Sequence, residues 1–109
     1  MVREENLKII TGMLDGACME TFGHPLPYYV NRSHRREYSD VRQMSARLLY
    51  DVARLPFVDI AACFGQHHTT VIYGYYKSGD MLRNDAEYRR VYGEYEKHFK
   101  NSLCKKSVI

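Results

Sequence analysis

Residues 56 to 79, PFVDIAACFGQHHTTVIYGYYKSG, predict two helices joined by a tight turn. Pro56 suits the first turn of a short helix, because this turn leaves its N–H groups unpaired and proline has none. The apolar side chains that follow share one helical face: Phe57, Ile60, Ala61 and Phe64. Gly65 stands where a left-handed residue ends such a helix, and Ser78-Gly79 is expected to end the second. Two short helices joined in this way, here over about residues 56 to 78, are typical of a helix-turn-helix.

The chain before this pair predicts a long helix from Asn6 to Phe22. Its apolar side chains recur at spacings of three and four residues: Leu7, Ile10, Leu14 and Ala17. Gly12 and Gly16 weaken this helix by about 1 kcal/mol each relative to alanine. We therefore expect tertiary packing or the close approach of a neighbouring helix to compensate. Pro25 and Pro27 follow and indicate a loop.

A helix from about residue 41 to Arg54 is predicted next, with the apolar face Val41, Met44, Leu48 and Val52. Asp40 and Gln43 have the spacing of a capping box at its start. A last helix is predicted from about Asp85, with Tyr88, Val91, Tyr95 and Phe99 on one face, and the tail 104–109 is expected to be disordered. The sequence thus predicts an all-α fold of about five helices in a single domain covering 1–109.

Composition and charge restrict the class of protein. The chain has 109 residues, 45% of them hydrophobic, as expected for one folded domain. No apolar run approaches the roughly 20 residues that cross a bilayer, so we predict a cytoplasmic protein without a membrane partner. The net charge is only +3, but arginines outnumber carboxylates between Arg32 and Arg54. This excess is a hint of phosphate contact.

Enzyme and metal-site patterns are missing from the sequence. The three cysteines, Cys18, Cys63 and Cys104, lack the paired spacing of a zinc site and are interpreted as reduced thiols that fill space. His67 and His68 are adjacent and diverge around a helix, and no GxxxxGK[ST] loop is present. We therefore predict no catalytic residues, no metal, no cofactor and no bound nucleotide.

The start of the second helix of the pair is the most informative segment. Small polar side chains in the first turn of a helix that follows a tight turn are placed to meet base edges in the major groove of DNA. Threonine offers a hydroxyl and a methyl group, and histidine can donate or accept. The alternative is that Thr69 and Thr70 only cap the helix.

Several features of residues 41 to 77 occur together in one known family. They are Arg42-Gln43-Met44 at the start of the long helix, Phe64-Gly65 at the end of the short one, and His68-Thr69-Thr70-Val71 opening the next. With them the segment resembles the C-terminal duplex-DNA-binding domain of the bacterial replication initiator DnaA, in the Trp-repressor-like helix-turn-helix group. The likeness covers roughly Asn31 to Phe99.

The resemblance implies a function and a set of contacts. It implies sequence-specific binding of double-stranded DNA, in replication initiation or transcription regulation, with base contacts from His67, His68, Thr69 and Thr70. It also implies a basic loop in the minor groove, and which residue enters is left open among Arg32, His34, Arg35 and Arg36. Arg42 and Lys77 match positions that contact phosphate. Phe57 and Val58 align with residues that can touch a thymine methyl, although Phe57 is equally compatible with the core.

Two departures from the family pattern leave room for another function. His67 stands where the family has aspartate, and the turn is one residue shorter, so the family's target sequence is not assumed. The rival interpretation is a helical protein-interaction module that has lost DNA binding. Tyr73, Tyr75 and Tyr76 could stack on single-stranded bases. We expect instead that tyrosines at this helical spacing pack their rings and leave their hydroxyls at the surface, with Tyr75 and Tyr76 inward or half inward.

Overall fold

The computed structural model describes the backbone of residues 2–30 and 35–107, and the side chains of 4–30 and 35–104. These residues form six helices and no strand: α1 (Val2–Phe22), α2 (Leu26–Tyr29), α3 (Arg36–Asp51), α4 (Phe57–Phe64), α5 (His68–Asn84) and α6 (Ala86–Ser107). The predicted all-α class is confirmed. The additional helix is the short α2, which starts after Pro25 with Pro27 in its first turn, where the missing N–H of a proline costs nothing.

The two long terminal helices, α1 and α6, pack against each other. Leu14, Ala17 and Cys18 of α1 are buried, with Leu7 and Ile10 partly so, as the helical spacing predicted. A methyl group added at Gly12 or Gly16 would meet no atom within 4 Å, so of the two expected compensations the close approach of a neighbouring helix is not observed at these glycines. Helix α1 is held by packing along its opposite, apolar face.

Helix α3 begins earlier than predicted. Arg35 is extended and α3 starts at Arg36, so Asp40 lies in the second turn, where it pairs with Arg36 at 3.3 Å. The predicted capping box of Asp40 and Gln43 is therefore wrong. At the other end, α3 stops at Asp51, and Arg54 adopts a left-handed backbone (φ 63°) in the turn to α4.

The turn between α4 and α5 has the predicted geometry. Gly65 is left-handed (φ 64°, ψ 34°), and the amide of Gln66 donates to the carbonyl of Ala61 at 3.0 Å. This is the hydrogen bonding of a glycine C-cap, in which one left-handed glycine ends the helix. Only Gly65, Gln66 and His67 separate the two helices.

Three predictions about helix ends and cysteines are corrected. Helix α5 passes through Ser78-Gly79 to Asn84, because Ser78 is buried and hydrogen-bonds Tyr88 of α6 at 2.9 Å. The tail predicted to be disordered is helical as far as Ser107, and 108–109 lie outside the described residues. Of the cysteines, only Cys18 fills space in the core, since Cys63 and Cys104 are exposed.

The core lies around α3. Leu48 and Leu49 of α3 are fully buried together with Tyr95 and Phe99 of α6. The hydroxyl of Tyr95 shares a hydrogen bond with that of the buried Ser45 at 2.6 Å, so each of these two buried hydroxyls has a partner. Within the described ranges, no helix combines the length and apolar character that a membrane crossing requires.

Candidate nucleic-acid interface

The first turn of α5 is a polar, exposed tip. His67 is its N-cap, and its Nδ1 accepts a hydrogen bond from the amide of Thr69 at 3.2 Å. The rings of His67 and His68 stack with centroids 4.5 Å apart. All four predicted base-contacting residues, His67, His68, Thr69 and Thr70, are exposed. The cap is thus supplied by His67, and the alternative in which the threonines cap the helix is not observed.

The cap also decides which groups His67 presents outward. An Nδ1 that accepts a hydrogen bond carries no proton, so the neutral ring bears its proton on Nε2 as a donor. The hydroxyl of Thr69 lies 2.9 Å from the same Nδ1. Where the resemblance implies an aspartate, which only accepts, this chain therefore offers a donor. That difference changes the hydrogen-bonding pattern that the tip presents to solvent.

The exposed face of α5 continues beyond this tip. Tyr73 is 69% exposed and Tyr76 64%, so the predictions that both rings pack and that Tyr76 lies inward or half inward are wrong. It holds for Tyr75, whose ring contacts those of Tyr50 and Phe57 with centroids 5.0 and 5.4 Å away. The sequence contained a pattern that indicates this exposed face. Thr70, Tyr73 and Lys77 are spaced by three and four residues and therefore share one face of the helix.

A groove of about 540 Å³ separates the middle of α3 from the start of α5. Arg42 lines it from α3, and Thr70 and Tyr73 line it from α5. Arg42 is half buried, which lowers the pKa of its guanidinium, and its Nη1 donates to the carbonyl of Tyr29 at 2.9 Å. The structure thus brings Arg42, predicted to contact phosphate, next to Thr70, predicted to contact bases.

A second groove of about 450 Å³ adjoins the first. It contains Lys77 and Arg36, and the residues common to both grooves are Ser39, Gln43 and Tyr73. Lys77 is exposed. Arg42 and Lys77 therefore lie on either side of Tyr73, on the surface that also carries the α5 tip.

The predicted basic loop is brought to this surface only in part. Arg32 and His34 lie outside the described residues. Arg35 is exposed just before α3, with its Nη1 3.7 Å from Glu37. Arg36 has its guanidinium held by Asp85 at 2.7 Å and by Asp40, and hydrogen bonds to both carboxylates raise its pKa.

One more arginine of the basic segment serves the fold. Arg47 pairs with Asp51 at 2.8 Å, donates to the carbonyl of Tyr75 at 3.1 Å, and lies 4.1 Å from the centre of the Tyr75 ring. The hydroxyl of Tyr75 also donates to Asp51 at 2.6 Å. These contacts join α5 to α3 and so orient the exposed face of α5. Part of the arginine excess seen in the sequence is therefore structural.

The start of α4 adds an apolar position. Val58 is 65% exposed, whereas Phe57 stacks on Tyr50 with ring centroids 4.1 Å apart. Of the two residues aligned with thymine contacts, Val58 is accessible and Phe57 belongs to the packing between α3 and α5.

Comparisons with known proteins leave this surface to be interpreted from its own chemistry. No protein-family model matches the chain, and no solved structure matches it. Among the side chains that the structure describes, no three His, Cys, Asp or Glu residues are grouped as a metal site. The residues that stand out are polar, basic and aromatic groups around the exposed face of α5.

Proposed function

We propose that this chain is a sequence-specific, duplex-DNA-binding protein in which α4 and α5 act as a helix-turn-helix. Helix α5 enters the major groove, with His67, His68, Thr69 and Thr70 at base edges. Arg42 and Lys77 contact phosphates, and the segment Arg32 to Arg36 reaches the adjacent minor groove. Replication initiation and transcription regulation are the two roles that fit such a module.

One observation carries the proposal: two cations, Arg42 and Lys77, lie on either side of Tyr73, on the surface that also carries the exposed polar tip of α5. Lys77 follows Thr70 by seven residues, which is about 10 Å along a helix axis. The major groove of B-DNA is about 12 Å wide. A helix whose tip reads bases can therefore have a lysine two turns later at a phosphate, while Arg42 meets a phosphate nearer the tip.

The remaining contacts divide into readout and positioning. Hydroxyls, methyls and imidazole donors at the tip can distinguish base pairs, whereas arginine and lysine at phosphates supply affinity without sequence information. Arg36 contributes only if DNA displaces Asp85 and Asp40 from its guanidinium.

Selection of duplexes from a random pool, followed by anisotropy titration at two salt concentrations, tests the proposal. Thr69→Ala should cost about 1–3 kcal/mol on the selected duplex and relax its specificity. Arg42→Ala should weaken binding to all duplexes alike and lower the salt slope by about one unit.

Matched controls lie outside the surface. Arg90→Ala removes an exposed arginine of α6 that pairs with Glu87 and Glu94, and Thr11→Ala removes a threonine of α1. Both should bind like the unchanged chain. If Thr69→Ala keeps the site preference, the proposed readout is wrong.

The exposed tyrosines favour a second candidate, a protein-interaction module. Tyrosine is enriched at protein interfaces, and Tyr73 and Tyr76 present two large rings on one helix. The same titration separates the two functions. An absence of salt-dependent duplex binding in the micromolar range would favour the interaction module.

A further inference from the structure

One arginine of the proposed DNA surface is held by two carboxylates of its own chain. Nε of Arg36 donates to Oδ2 of Asp40 at 3.3 Å, and its Nη2 donates to Oδ2 of Asp85 at 2.7 Å. These two nitrogens form one edge of the planar guanidinium, an edge on which arginine can grip an anion with two parallel hydrogen bonds. In the free chain that edge is therefore already occupied.

Asp85 is fixed for this contact by the backbone of α6. It stands between α5 and α6, and its Oδ1 accepts a hydrogen bond from the amide of Tyr88 at 3.1 Å, as an N-cap does. Its other oxygen meets Arg36. The hydrogen bond from Tyr88 and the guanidinium of Arg36 both lower the pKa of Asp85, so its carboxylate is charged at neutral pH. Because the cap already holds this side chain, pairing it costs less entropy than pairing two unrestrained surface side chains.

The position of Arg36 suits a contact with DNA. It lies in the same groove as Lys77, and it directly follows the exposed Arg35 in the basic segment. Its side chain is 66% exposed, so burial does not keep it from a ligand. What it lacks is a free edge on its guanidinium, because the two aspartates occupy it.

We propose that Asp85, assisted by Asp40, is an internal competitor that DNA must displace from Arg36. This inference rests on the proposed duplex binding and assigns a regulatory contact to the same surface. A contact that is present in the free chain and absent from the complex weakens binding by its own free energy, because only a difference between the two states shifts the equilibrium. The free chain is therefore held back from DNA of any sequence, since an arginine paired with a carboxylate carries no base information in itself.

Anisotropy titration of the full chain with the selected duplex, and with an unrelated duplex, tests this contact. Asp85→Asn keeps the oxygen that caps α6 but removes the charge that holds Arg36. We expect it to tighten binding to both duplexes about two- to fivefold, the range for an exposed ion pair. In a chain that also carries Arg36→Gln, the same substitution should leave the affinity unchanged, because its target has gone. Arg36→Gln should lower the salt slope of the Asp85→Asn chain by about one unit.

A second variant and a matched control complete the design. Asp40→Asn removes the longer of the two contacts and should tighten binding by a smaller factor than Asp85→Asn does. Glu94→Gln relieves one partner of Arg90 on α6, outside the surface, and should leave the affinity unchanged. Thermal unfolding of each variant checks that α6 keeps its start.

The outcomes separate this inference from the function on which it rests. If the unchanged chain binds duplex but Asp85→Asn does not tighten binding, the internal competitor is wrong and the DNA-binding function stands. Equal tightening with and without Arg36→Gln would also overturn it, because the gain would then come from reduced repulsion between Asp85 and DNA. If neither the unchanged chain nor Asp85→Asn binds any duplex, both proposals fail together.

Discussion

Two tyrosines of α5 and two of α6 occupy opposite environments although the two helices are consecutive in the chain. Tyr73 and Tyr76 of α5 project into solvent, whereas Tyr88 and Tyr95 of α6 are 3% and 0% exposed. The hydroxyls of the buried pair bond to Ser78 and Ser45. The same residue type therefore serves the core in one helix and the surface in the other.

The difference follows from what covers each helix. Helix α6 packs against α1 and touches α3 through Tyr95 and Ser45. Helix α5 packs on α3 and α4 with one face, and nothing within the described ranges covers the face that carries Thr70, Tyr73 and Lys77. Arg47 and Asp51 contact the opposite side of α5 and fix its orientation. The exposed face, with its rings and polar groups, is suited to contact a partner rather than to pack in the core.

The largest expected effect is a difference in folding stability between variants of a buried tyrosine and variants of an exposed one. Tyr95→Ala should lower the free energy of unfolding by about 3–5 kcal/mol, because it empties a fully enclosed site and strands the hydroxyl of Ser45. Tyr73→Ala should change it by less than about 0.5 kcal/mol. Urea unfolding of both variants measures the difference. Similar losses in the two would break the comparison.

A smaller effect comes from the ionisation of the buried groups. Burial raises the pKa of Tyr88 from 10.0 to about 12 and that of Cys18 from 9.0 to about 12. The folded chain therefore keeps protons that the unfolded chain releases, so stability is fully present below pH 9 and declines from there towards pH 12. Each group contributes on the order of 1 kcal/mol per pH unit within its window.

Urea unfolding at a series of alkaline pH values measures this decline. Cys18→Ala should reduce the decline in unfolding free energy just above pH 9, and Tyr88→Phe should reduce it above pH 10. These are the pH values at which each group first ionises in the unfolded chain. Tyr73→Phe, which changes an exposed ring, serves as the control. A stability that stays constant to pH 11 would contradict the burial assigned to α6.

The smallest expected effect compares the glycines of the two helices. Gly93 of α6 is exposed with open space around it, so Gly93→Ala should stabilise the chain by about 0.5–1 kcal/mol through helix propensity. In α5, a methyl at Gly74 would lie 3.6 Å from Cγ of Gln43, an ordinary contact, and we expect a gain of similar size. Thermal unfolding checks both. A loss at Gly74 would indicate a tighter contact between α3 and α5.

The elements that were predictable are those with local chemical causes. The apolar spacing of α1, the left-handed Gly65 and the short turn to α5 depend on residues close together in sequence. The errors at Asp40 and at Ser78-Gly79 have the opposite origin. Asp40 pairs within an α3 that begins one turn earlier, and Ser78 is held in a continuous helix by Tyr88 of another helix. No local pattern contains that partner.

The candidate site also has features that local sequence predicts and features that depend on distant contacts. The exposure of His67 to Thr70 follows from their position at a helix start after a tight turn. The engagement of Arg36 with Asp85 could not be predicted, because the two residues are 49 positions apart and meet only when α6 crosses the start of α3.

The sequence by itself determined the helical class, the α4–α5 turn and the polar character of the tip of α5, because helix periodicity, glycine conformation and side-chain chemistry are local properties. Only the tertiary structure decided which arginines pair internally and which tyrosines lie in the core. It also decided which two grooves flank Tyr73. Those outcomes depend on which helix faces are covered, and coverage is set by contacts between residues far apart in the chain.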